Sequence, residues 1–167
     1  MKAVRRRRLV DHLSESRILV GLSGGPLVKI LLALAETVVQ GGSVRQPLEY
    51  YKELANQTSP WVPLAEMKPI PNIKIFQICS SGVKKLTLAM ALCPDGARSD
   101  QGETIHLILL FSTPVGAVPS YLALLAEAVR LLEPRAKREF LLGSSSPSEA
   151  WARLSQMESD PAATTSP

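Results

Sequence analysis

The run Thr104 to Phe111 (TIHLILLF) constrains this chain more than any other feature, because only its first and third residues are polar. A strand with one wet face alternates apolar and polar side chains, so a near-continuous run describes a central strand buried on both faces. It also falls far short of the roughly 18 residues that cross a bilayer. Such a strand needs helices on both sides, and the chain supplies them. The expected fold is α/β, a single domain with a mixed, mostly central sheet flanked by helices. The 167 residues, 46% hydrophobic and 20% charged, suit one such domain and exclude a disordered, collagen-like or coiled-coil chain. A chain of this length buries enough surface to fold without disulfide or metal. Cys79 and Cys93 are solitary, with no zinc spacing and no secretory leader ahead of them, so a reduced, cytoplasmic setting is expected.

The order of elements follows from the same patterns. Arg8 to Leu13 reads as a short helix or turn, and Arg17 to Leu22 (RILVGL) as a strand ended by Ser23-Gly24-Gly25-Pro26. Pro26 to Gln40 is helical, with Leu27, Ile30, Leu31, Leu34 and Val38 on one stripe and a Gly41-Gly42 stop. A second helix over Gln46 to Ala55 carries Leu48, Tyr51 and Leu54, and Pro60, Pro63, Pro69 and Pro71 then make a long stiff loop. Strands follow at Ile73 to Ile78, Lys85 to Leu92 (half-buried by its alternation) and Thr104 to Phe111, with a polar loop from Cys93 to Glu103. Pro114 to Pro119 break the chain, and helices near Tyr121 to Leu132, Pro134 to Leu142 and Ser148 to Met157 close it. The expected organisation is a basic arm over 1–8, a domain over 9–158 and an unstructured tail over 159–167.

The net charge of +4 sits in the arm. Five of the 19 basic residues (Lys2, Arg5, Arg6, Arg7, Arg8) lie in the first eight positions, so the remainder carries 14 basic against 15 acidic residues. Arg5 to Arg8 read either as a contact for nucleic acid or anionic lipid or as a solvated terminus, and no aromatic residue stands by to stack a base. Val20 to Leu27 (VGLSGGPL) resembles the S-G-G-x-D-S loop of ATP pyrophosphatases, but Leu27 and Val28 replace its Asp and Ser, which leaves a tight strand-to-helix turn. His106 reads as a neutral structural histidine in its strand, and Asp95, Asp100 and Glu103 as a solvated loop of no calcium spacing. No metal site, cofactor motif or Ser/His/Asp constellation is assembled.

From Leu9 to Leu154 the chain resembles enzyme IIA of the phosphoenolpyruvate-dependent sugar phosphotransferase system, of the fructose/mannitol and nitrogen-regulatory type. The residues that carry the resemblance are RILVGLSGGPLVKILLALAETVV (Arg17 to Val39), GETIHLILLFSTP with YLALLAEAVRLL (Gly102 to Leu132), and LLGSSSPSEAWARL (Leu141 to Leu154). In that family a glycine-rich turn runs into A-I-P-H, whose histidine accepts the phosphoryl group from a carrier protein. Ile70-Pro71-Asn72 keeps the I-P and aligns the acceptor with Asn72. An amide nitrogen has its lone pair delocalised and is no nucleophile near neutral pH. The second histidine of the family, at the start of the helix after the central strand, aligns with Tyr121, which carries no positive charge. The Arg-Glu ahead of the turn falls near Asn56 and Gln57, and no histidine exists between His12 and His106.

The resemblance therefore implies a degenerate enzyme IIA, a regulatory or protein-binding module without phosphohistidine chemistry, docking a transporter or regulator through Ile70, Pro71, Asn72 and Tyr121. The alternative it leaves is an active phosphocarrier that passes phosphate from a histidine-containing carrier protein to a sugar permease or regulator through His106 or another residue.

Overall fold

The computed structural model describes residues 8–22, 24–57, 72–99 and 102–159. Residues 1–7 of the expected arm, 58–71 with the proline-rich loop and 160–167 of the expected tail lie outside them, while Ser159 ends the last helix.

Four strands form one sheet in the order β1-β3-β4-β2. They are β1 (Ile18–Leu19), β2 (Ile73–Cys79), β3 (Thr87–Arg98) and β4 (Thr104–Thr113). β1 runs parallel to β3, β3 antiparallel to β4, and β2 parallel to β4, so the sheet is mixed. Two helices, α1 (Leu27–Gln40) and α2 (Pro47–Gln57), cover one face. The other is covered by α3 (Val118–Leu132), α4 (Arg135–Leu142) and α5 (Pro147–Ser159), with a 3-10 turn over Leu9–His12. Alternation places Leu107, Leu109 and Phe111 of β4 against the α3 to α5 layer and Ile108 and Leu110 against α1 and α2. That is why the run in β4 is apolar without a break.

β3 obeys the same rule, so the half-buried strand expected from its alternation is corrected. Leu88, Met90 and Leu92 face one layer, Ala89, Ala91 and Cys93 the other, and all six are fully buried. Small side chains on the α1 side let the leucines of that helix approach the sheet closely. β3 also continues through the expected Cys93 to Glu103 loop. A bulge between Leu92 and Ala97 absorbs Pro94, which cannot donate to a ladder, and turns at Gly96 (φ +85°). Only a short turn remains, in which Ser99 N–H donates to Glu103 O and Gly102 N–H to Ser99 O.

Further boundaries shift for local reasons. The expected strand Arg17 to Leu22 shrinks to β1, because Arg17 belongs to a 3-10 turn and Gly21 adopts φ +63°. α2 buries Tyr50 and Leu54, while Leu48 is exposed rather than inward. α3 begins three residues before Tyr121, with Pro119 in its first turn, where a missing N–H costs nothing. Among the described residues no helix is long and apolar enough to cross a membrane.

Candidate functional site

β2 leaves Asn72 at one end of the sheet and delivers Cys79 and Ser80 at the other. Asn72 is exposed and adopts φ +68°, a left-handed conformation that asparagine tolerates better than most residues. Its carbonyl accepts hydrogen bonds from His106 N–H (2.9 Å) and Leu107 N–H (3.2 Å), which fixes it beside the first half of β4. Tyr121 stands at the opposite end. α3 starts just after Thr113, the last residue of β4, and the Tyr121 ring packs edge-on against Phe111 with centroids 5.3 Å apart. His106 and Phe111 are five residues apart along the strand, roughly 17 Å.

The structure therefore does not bring Asn72 and Tyr121 onto one surface. Tyr121 is 2% exposed, held in the core by the apolar stripe of α3, and burial pushes its phenol up to about 12. It offers a partner no face, and it does not line the cleft at Asn72. Ile70 and Pro71 lie outside the described residues. Asn56 is exposed in the last turn of α2, as the resemblance allows.

Around Asn72 the structure opens a cleft of about 670 Å³. Its walls come from Asn72, from Pro94 at the bulge of β3, from His106 and Leu107 of β4, and from Arg135, Arg138, Glu139 and Leu142 of α4. His106, expected as a structural histidine of its apolar strand, is half-buried and also lines this cleft. The bulge is the reason: it carries β3 away from the ladder where His106 sits. Nδ1 of His106 lies 3.0 Å from the Cys93 carbonyl, which can only accept, so Nδ1 carries the proton and Nε2 keeps the lone pair in the neutral ring. On α4, Arg138 donates from Nη1 to Leu132 O and Glu133 O at the end of α3, while Arg135 pairs with Glu139 at 2.9 Å. No motif in the sequence marks these arginines. Their recurrence at i and i+3 on a short helix was the available signal, and it reads equally as a solvated face.

The other candidates stay structural. The glycine turn packs against the bulge of β3, where a Cβ on Gly24 would stand 2.8 Å from Gly96 O and Arg98 N–H donates to Gly25 O. His12 Nδ1 is held by Leu86 O at 3.1 Å. Glu103 pairs with Lys74 at 3.3 Å, Asp95 is exposed, and Asp100 lies outside the described residues. Among the described residues no group of three or more His, Cys, Asp or Glu stands together to hold a metal.

No sequence-family model matches this chain, and no curated protein sequence matches it. Solved structures do. The nitrogen regulatory protein IIA-Ntr from Neisseria meningitidis superposes with a TM-score of 0.69 at 18% identity, over 87% of this chain and 97% of that one. A putative PTS IIA domain from Streptococcus pyogenes M1 GAS gives 0.71 at 16% identity, over 93% and 99%. Enzyme IIAMTL from Escherichia coli, in its complex with phosphorylated enzyme IIBMTL, gives 0.65 at 15% identity, over 86% and 96%. At these identities the likeness is one of fold, and the fold is that of phosphotransferase-system IIA domains.

Proposed function

We propose that this chain is a cytoplasmic, enzyme IIA-like protein-binding module of a phosphotransferase system that has lost the phosphohistidine chemistry of its fold. The observation that carries the reading is where its imidazoles sit relative to the sheet. By the resemblance, two histidines act on one phosphoryl group, and the second belongs at the start of the helix after the central strand. In this fold that is the head of α3. The acceptor then belongs at the same end of the sheet, where β2 ends in Cys79, Ser80 and Ser81, rather than at Asn72. None of these residues is a histidine. His106 stands at the other end. His12 is at this end, on the 3-10 turn over Leu9–His12, but it belongs neither to the turn after β2 nor to α3. Its Nδ1 is held by Leu86 O at 3.1 Å, one residue before Thr87, which pairs with Ser112. A serine hydroxyl without an adjacent base is a weak nucleophile, and Ser80 Oγ is occupied as acceptor for Gly82 N–H at 3.1 Å.

A docking role also has a surface to rest on. Val115, Val118 and Leu122 are 70%, 41% and 50% exposed around the head of α3, so the same end of the sheet presents an apolar patch. The relative from Escherichia coli engages phosphorylated enzyme IIBMTL, and a partner of that class, a second phosphotransferase protein or a transporter or regulator tied to one, is the proposed occupant. With no histidine at the turn after β2 or at the head of α3, binding is constitutive and does not switch with the phosphorylation state of this chain.

The second reading, an active phosphocarrier, rests on one observation, the half-buried ring of His106 in the cleft. Its Nε2 lone pair would attack the phosphorus of a carrier phosphohistidine while the donor nitrogen leaves with its electron pair. One experiment separates the two. The chain is incubated with phosphoenolpyruvate, enzyme I and the histidine carrier protein, and its intact mass is read under neutral conditions beside an active enzyme IIA. The first reading expects no added phosphate. Phosphate that disappears in His106→Gln supports the second reading, and phosphate that survives that substitution overturns both.

A further inference from the structure

The cleft at the start of β2 and β4 gathers charged and polar side chains from α4 and β4. Two guanidinium groups face it from α4, three residues apart, against one carboxylate, Glu139. Arg138 is held in place through Nη1 by the last carbonyls of α3, which leaves Nη2 and Nε uncommitted among the described residues. Arg135 is 83% exposed and shares its Nε with Glu139, an ion pair weak enough to yield to a stronger anion. Across from them His106 turns its Nδ1 edge to Cys93 and Gly96, leaving Nε2 as the nitrogen without a protein partner. Leu142, half-buried on α4, supplies apolar wall beside these polar groups.

We propose that this cleft binds a small phosphate monoester, its phosphoryl oxygens on Arg135, Arg138 and Nε2 of His106 and its apolar body on Leu142. Two guanidinium donors from a helix, with an imidazole nitrogen from a strand, suit the several oxygens of a tetrahedral phosphoryl group. A carboxylate is planar, and one guanidinium already satisfies its two oxygens. The imidazole serves in either protonation state, because neutral Nε2 accepts from a monoprotonated phosphate and protonated Nε2 donates to a dianion. The volume exceeds what inorganic phosphate needs and falls within the ordinary range of small-molecule sites. The site is at the opposite end of the sheet from the apolar patch proposed for docking, and it requires neither a partner protein nor a relay.

The test uses the full chain alone. With only two histidines in the sequence, the ring Cε1–H resonance of His106 is the reporter and that of His12 the internal reference. Phenyl phosphate should move the His106 resonance saturably and leave His12 in place, with inorganic phosphate and benzoate each binding about 10-fold more weakly. Arg135→Gln, on an exposed side chain, should weaken binding about 10-fold, and Glu139→Gln should tighten it about threefold by releasing Arg135. Because Arg138 also caps α3, Arg138→Lys serves as its charge-retaining variant and should bind more tightly than Arg138→Gln. No saturable shift, an equal response at His12, equal affinity for benzoate or for inorganic phosphate, or indifference to Arg135→Gln and Glu139→Gln would each overturn the proposal.

Discussion

Glu158 near the end of α5 closes the chain on itself, and removing it tests how. Its Oε2 accepts Leu9 N–H at 2.7 Å and its Oε1 accepts Val10 N–H at 3.0 Å. Leu9 and Val10 are 1% and 4% exposed, so no water replaces the carboxylate. Arg8 adds Nη2 contacts to the hydroxyls of Ser155 and Ser159, both at 3.1 Å. In Glu158→Ala two buried N–H groups lose their acceptor, at about 1–3 kcal/mol each. Relief of a buried charge offsets part of that loss, since burial outweighs the two hydrogen bonds and raises the Glu158 carboxyl above its ordinary value. The net cost expected is about 2 kcal/mol, or a Tm lower by roughly 4–8 °C for a chain of this size. Glu158→Gln keeps one acceptor oxygen and removes the charge but turns an NH2 toward the other buried N–H, so its cost at neutral pH should be about 1 kcal/mol, between the wild type and Glu158→Ala. The raised value also sets a pH dependence. The folded state holds this proton more tightly than the unfolded state does, so the contribution of Glu158 is greatest below the ordinary carboxylate value and declines as pH rises through the raised one. Thermal melts of the three proteins across pH 4 to 7, followed by circular dichroism, should show the wild type gaining on Glu158→Gln as pH falls. A change under about 0.5 kcal/mol in Glu158→Ala, or a wild type that gains on the glutamine variant as pH rises, would refute the account.

Three other outcomes follow from single residues. Gly96→Ala puts a Cβ at φ +85° into the Thr104 methyl group and should cost about 2–4 kcal/mol in urea unfolding, while Gly25→Ala, with open space around it, should cost under about 1 kcal/mol. Burial lifts the Cys93 thiol to about 11, so at pH 8 a thiol reagent should label Cys79 in the native chain and both cysteines only after denaturation. Asn72→His restores an imidazole to the wrong end of the sheet for α3 and should remain unphosphorylated by the relay; intact mass showing phosphate there, and none on the wild type, would contradict the proposed acceptor position.

The layers of the fold were legible because they depend on local pattern. A doubly buried strand must lack alternation, and TIHLILLF does; an amphipathic helix must place Ile30, Leu31, Leu34 and Val38 on one stripe, and α1 buries all four. β3 was misjudged because its second face carries alanines. Ala89 and Ala91 count weakly as hydrophobic, yet they are what a closely packed α1 requires. The bulge was hidden for a related reason: Pro94 and Gly96 signal a loop in most settings, and only the pairing of Ala97 and Arg98 with Ile105 and Thr104 reveals a strand that resumes. The cleft was illegible altogether, since Asn72, His106 and Arg135 are brought together by packing between distant segments.

The two-residue anchor Ile70-Pro71 shows why a local match is a poor guide to a site. It predicts an acceptor at Asn72 and leaves the direction of the following strand unused. Direction is decisive here. β2 lies parallel to β4, with Ile73 opposite Leu107 and Cys79 opposite Thr113, so Asn72, just before β2, lies at the start of β4 and Ser80, just after it, lies where α3 begins. Two groups that act on one phosphoryl must stand within a few ångströms of each other, and no side chain spans the length of a strand. Asn72 and the head of α3 therefore belong to different sites whatever their local sequence. One end, with the Ser80 turn and the apolar patch of Val115, Val118 and Leu122, carries the proposed protein contact; the other, with His106 and the arginines of α4, carries a cleft that the resemblance does not account for.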